Sequence, residues 1–89
     1  ATFIKDYFVY RNPQNLPFYF DYVSYKKGTD ILTESQQYKL CIDLLDDGYT
    51  VYINDNDAIM DMIIKDLSYK YPDTVKFGEP DVDVYPIKF

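Results

Sequence analysis

Three places in this chain hold residues whose types and spacing could do chemistry. Asp81 and Asp83 flank Val82, with Glu79 just before them. A D-x-D pair of that kind can grip a divalent ion through hard carboxylate oxygens. Asn54-Asp55-Asn56-Asp57 has the look of a calcium loop. Cys41, the only cysteine, is by type a nucleophile or redox sensor.

Each has a plainer reading. Solvent-facing carboxylates on a strand are common, and a single triplet is a weak metal signature. A calcium loop needs Gly at its sixth position and a bidentate Glu at its twelfth. Counted from Asp55, those positions are Met60 and Asp66. A turn that also caps a helix fits better. Cys41 lies in an apolar helical stripe, where a thiol behaves as a small hydrophobe.

The absence of histidine removes the commonest general acid–base group and excludes Ser-His-Asp and Cys-His machinery. One cysteine without histidine cannot close a zinc site. Three separated glycines make no phosphate loop. Two-carboxylate hydrolysis needs a substrate cleft that a chain of this size hardly provides. The expectation is a protein that is not an enzyme and carries no cofactor or metal.

Charge is the stronger signal. From Asp43 to Asp83 the chain holds eleven carboxylates against three lysines, whereas residues 1–42 hold four acids and five bases. The whole 89-residue chain carries −6. Such a surface repels nucleic acid and anionic membranes and attracts basic clefts. Aromatics make up 19% of the residues, with eleven Tyr, six Phe and no Trp. Tyrosine suits both half-buried strands and interfaces. No apolar run reaches the ~18 residues of a membrane span. The lone cysteine suits a reducing compartment, so the expected location is cytoplasmic. Ala1 reads as the residue left after removal of an initiator Met, although a cleaved precursor could leave the same ending.

The elements that must position these residues follow from periodicity. Residues 2–10 are β-branched or aromatic at most positions and predict a strand. After the Asn12-Pro13-Gln14-Asn15 turn, residues 16–25 predict a second strand, antiparallel to the first. Thr33-Glu34-Ser35-Gln36 reads as a capping box opening a helix to about Asp46. Its expected buried stripe is Tyr38, Cys41, Leu44 and Leu45, and Gly48 terminates it. Residues 49–53 predict a strand. Residues 57–70 predict a helix with Met60, Ile63, Ile64, Leu67 and Tyr71 on its core face. Residues 74–77 and 81–88 complete the set, with Pro86 marking an edge. Strand 49–53, helix 57–70 and strand 74–77 suit a parallel crossover. The expected fold is one α+β domain over 1–89, with a small mixed sheet in the order ββαβαββ and two helices on one face.

The function expected from this pattern is that of a small acidic intracellular inhibitor or binding protein. It would occupy a basic cleft of a nucleic-acid-handling protein, with carboxylates in place of phosphates. The partner-binding residues would be Asp46, Asp47, Tyr49, Tyr52, Asp55, Asp57, Asp61, Asp66, Tyr69, Asp73, Glu79, Asp81 and Asp83. Tyrosine supplies burial and aspartate fast approach. In size and composition the chain is similar to inhibitors that phages and mobile elements direct against restriction or CRISPR nucleases, to nuclease immunity proteins and to some antitoxins. The alternative is an interaction module that forms a homo-oligomer through sheet edges. Direct nucleic-acid binding is disfavoured, because Lys5, Arg11, Lys26 and Lys27 make only a thin basic patch.

Overall fold

A computed structural model describes residues 2–23 and 36–87. The elements are α1 (Thr2–Tyr10), β1 (Phe18–Phe20), α2 (Gln36–Asp46), β2 (Val51–Ile53), α3 (Asp57–Lys70), β3 (Val75–Phe77) and β4 (Tyr85–Pro86). The α+β class holds, with three helices and a four-stranded sheet among the described residues. The capping box lies outside the described residues except for Gln36.

The first element corrects the sequence reading: 2–10 is a helix, not a strand. Ile4, Phe8, Val9 and Asn12 turn inward at helical spacing, while Asp6, Tyr7, Tyr10 and Arg11 face solvent. That 3.6-residue face outweighs the strand preference of the aromatic and β-branched residues. Pro13 prevents the helix from continuing. The buried Asn12 side chain then closes the turn, donating to the Leu16 carbonyl at 2.8 Å and accepting from the Leu16 amide at 3.0 Å. Asn15 takes the left-handed conformation, at φ 56°.

Without that strand the expected antiparallel hairpin is lost, and the described strands all pair in parallel rather than in a mixed sheet. Its order is β3-β2-β1-β4. Phe18, Val51 and Val75 share one register level, and Phe20, Ile53 and Phe77 the level two residues on. These side chains point to one face and join a single buried cluster with Phe8 of α1, Leu40, Cys41, Leu44 and Leu45 of α2, and Ile59, Ile63 and Leu67 of α3. All three helices therefore cover the same face. Each fully buried Leu, Ile or Phe contributes roughly 1.5–3 kcal/mol.

Helix α3 has the expected bounds, and β2 and β3 pair in parallel around it. Its inward stripe sits slightly to one side of the expected one: Ile59, Ile63 and Leu67 are buried, whereas Ile64 is 39% exposed. In α2, Leu40 and Gln37 are buried beside Cys41, Leu44 and Leu45, with Tyr38 and Ile42 on the flanks. Gly48, at φ 88°, supplies the left-handed residue that lets α2 end and β2 begin.

The last connection spans the sheet from edge to edge. β3 and β4 lie at opposite edges, so residues 78–84 must return across the width of the sheet. Three strand spacings span about 14 Å. Eight residue steps reach at most about 27 Å. Gly78, at φ 92°, makes the reversal, and its amide donates to the Ile53 carbonyl at 2.9 Å. The sheet edges are blunt, three residues at β3 and two at β4, which includes Pro86.

Candidate functional site

Parallel strands sort the acidic positions into two ends. Residues that follow a strand lie at the carboxyl edge of the sheet, and residues that end a helix lie at the amino edge. Asp46 and Asp47 close α2, Tyr49 leads into β2, Tyr69 lies in the last turn of α3 and Asp73 precedes β3. These gather at the amino edge. Asp55, Asp57 and Glu79 lie at the carboxyl edge, joined by Asp21, which follows β1. Asp81 and Asp83 sit on the 78–84 return. Asp61 and Asp66 lie along α3, about 140° apart around its axis at 3.6 residues per turn. The thirteen expected positions do not form one patch.

At the amino edge, Asp46 and Asp47 are already engaged. The Tyr71 hydroxyl donates to Asp46 at 2.5 Å, tying the end of α3 to the end of α2. That bond holds the phenol protonated and pushes the Tyr71 pKa up to about 12. Lys5 reaches from α1 to Asp47 at 2.5 Å. The carboxylate raises the Lys5 pKa, so the pair stays ionised. Tyr49 turns its ring edge-on to Phe18, with centroids 5.7 Å apart, and belongs to the core margin. On α3, Asp66 pairs with Lys70 at 3.6 Å.

The carboxyl edge is built differently. Asp55 is a structural hinge: one oxygen accepts from the Val23 amide at 2.9 Å and the other from the Asn56 amide at 2.7 Å. Asn56 caps α3, its side chain accepting from the Ile59 amide at 3.0 Å. The Asn54–Asp57 stretch is thus the turn and helix cap that the sequence favoured over a calcium loop. Around it Tyr19, Asp21, Tyr22, Asn54, Asp55, Asn56 and Glu79 line an open hollow of about 520 Å³. Crevices outside the carboxyl ends of parallel strands are where such sheets bind ligands. Among the described residues, no group of three or more His, Cys, Asp or Glu is placed to hold a metal ion.

Sequence reasoning did not single out Tyr19, Tyr22, Asn54 or Asn56 as site residues. Tyr19 carried a signal: it alternates with Phe18 and Phe20, so it must face away from their core. Tyr52 points the same way from β2, in register with Tyr19. Both are half-buried. Tyr69 is 86% exposed on the solvent side of α3. Cys41 is fully buried, and loss of hydration raises its thiol pKa, so the reactive thiolate is suppressed.

No helix among the described residues is long and apolar enough to cross a membrane. No protein-family model, curated protein or solved structure significantly matches the chain.

Proposed function

We propose that this chain is a small acidic binding protein that acts in the cytoplasm by occupying a basic cleft of a nucleic-acid-handling protein such as a nuclease, a restriction or CRISPR effector, or a toxin. One observation carries the reading. Asp57, Asp61, Asp73, Glu79, Asp81 and Asp83 are all exposed, and none forms an ion pair among the described residues. A surface that holds so many uncompensated carboxylates repels itself, and a cationic partner would relieve that repulsion. Asp57 and Asp61 stand about 6 Å apart along the axis of α3. Nucleic acid presents charges at a comparable or closer spacing. The sheet-edge alternative loses its first hairpin, and the two remaining edges are short.

The test is competition. The chain, immobilised, is offered a purified or lysate-derived basic nucleic-acid-binding protein. The captured protein should be released by duplex DNA and by salt. Raising ionic strength from about 0.1 to about 1 M shortens the Debye length from about 10 to about 3 Å. Capture that survives both treatments refutes the reading.

A further inference from the structure

We propose that the outward face of α3 pairs, antiparallel and about a twofold axis, with the same face of a second copy of this chain. This goes beyond the basic-cleft reading and does not rest on it.

Ala58, Met62, Lys65 and Tyr69 recur at spacings of four, three and four, the heptad rhythm of a helix–helix seam. At 3.6 residues per turn the seam lies about 130° around α3 from the buried stripe of Ile59, Ile63 and Leu67. Met62 is 54% exposed and Tyr69 86%. Ala58 and Lys65 are exposed as well. All four positions lie in one described helix, so helix geometry alone fixes where they stand relative to one another. Exposed apolar side chains are common singly. The charges beside these say what covers them. Of the three lysines among residues 43–83, Lys65 and Lys70 both lie on α3. With Asp61 and Asp66 they balance the charge around the seam, in a chain of net charge −6. A basic partner finds no net attraction there, whereas a second copy finds its complement.

That complement belongs to one register, with the twofold axis level with Ile63. Antiparallel helices related by such an axis meet with matching flanks. Asp61 of one copy then stands level with Lys65 of the other, and the match occurs twice. The two Met62 side chains meet about 3 Å apart along the helix, and each Tyr69 ring lies over Ala58 of the other copy, about 1.5 Å from level. Asp66, on the far flank, is about 9 Å along the helix from its symmetry mate. It is also already paired with Lys70 at 3.6 Å. A parallel pair would set Lys65 beside Lys65 of the other copy, so charge selects the antiparallel one. The 14 residues of α3 span about 21 Å. One helix pair of that length falls short of the roughly 1,200–2,000 Å² of a stable interface, so the association is weak and reversible.

Sedimentation equilibrium of the full chain in about 0.15 M salt tests this. It should show monomer and dimer with a dissociation constant below about 1 mM. Asp61→Lys and Lys65→Asp should each weaken the dimer about tenfold, because each sets like charges opposite one another twice. Net charge alone predicts the reverse for Asp61→Lys, which makes the chain less acidic. An equal mixture of the two variants should associate as the parent does, since every contact in the mixed pair joins opposite charges. Both variants change only exposed side chains, and an unchanged circular dichroism spectrum shows that they fold. Met62→Cys should form a disulfide-linked dimer with oxidised glutathione and Ser68→Cys should not, with Cys41 buried and out of reach. A chain that stays monomeric at about 1 mM overturns the inference. A dimer that the charge variants leave unchanged, or that mixing them does not restore, forms through another face and overturns it too.

Discussion

Replacing Asp55 with alanine removes two acceptors at once, and the structure says which loss matters more. The Val23 amide donates to one carboxylate oxygen at 2.9 Å, and Val23 is fully buried. Without Asp55 that bond is lost in a place water does not reach, at about 1–3 kcal/mol. The Asn56 amide, bonded to the other oxygen at 2.7 Å, lies in a turn where water can substitute. Its bond adds about 0.5–1 kcal/mol. Asp55→Ala should therefore lose about 2–3 kcal/mol. At about 4–8 °C per kcal/mol for a domain of this size, the melting temperature falls by roughly 10–20 °C. Asp55→Asn keeps one oxygen and should lose about half as much. Urea unfolding followed by far-ultraviolet circular dichroism measures this directly, with an unchanged m-value showing that stability alone has moved. The sequence made Asp55 a partner contact. If Asp55→Ala keeps its stability to within about 0.5 kcal/mol, typical of a surface change, the hinge role assigned here is wrong.

Three further outcomes follow from the same geometry. The Tyr71 pKa is raised to about 12 from 10.0, chiefly by the bond to Asp46, so the phenol's contribution is complete below pH 10 and is lost as pH rises through about 12. Tyr71→Phe should cost about 1 kcal/mol at neutral pH, and the gap from the parent chain should close between pH 10 and 12 in denaturant titrations. Ile63→Ala should cost about 2–5 kcal/mol and Met62→Ala, one position away but 54% exposed, within about 0.5 kcal/mol; equal losses would mean that α3 is turned differently. Cys41 should resist a thiol reagent in the native chain and react at the rate of unfolding, and fast native labelling would show that the α2 stripe is open.

How much of this was legible depends on where the deciding contacts lie. Helix α3 was readable in its bounds, though not in every inward position, because its signals are local: a cap in the Asn54–Asp57 turn, apolar positions at helical spacing and Pro72 just past the end. Helix α1 was not. Phe3, Ile4, Tyr7, Phe8, Val9 and Tyr10 satisfy an alternating pattern and a helical one together, and strand propensity favoured the wrong one. What separates them is packing against α2, which no local window contains. The polarity next to Pro13 was a clue, since the inward positions 4, 8, 9 and 12 end in an asparagine that finds its partners four residues ahead.

The sheet shows the same division. Alternation places Phe18 and Phe20 on one side of β1 and Tyr19 on the other, whichever way the neighbouring strand runs. Parallel pairing is set instead by what lies between strands, because parallel neighbours need a crossover of a dozen or more residues. A helix stands between β1 and β2 just as one stands between β2 and β3. The argument that made the second pair parallel applied equally to the first, and the misread strand at 2–10 hid it by offering β1 a nearer partner. That single error also hid the pairing of β1 with β2. Once 2–10 moves to the helical layer, β1 pairs directly with β2 and Tyr19 stands in register with Tyr52. The negative charge was visible in composition. Which carboxylates remain unpaired depended on Lys5 and Tyr71, 42 and 25 residues distant from Asp47 and Asp46. Contacts at that separation are fixed by the fold, so composition names the charge and the fold decides where it is available.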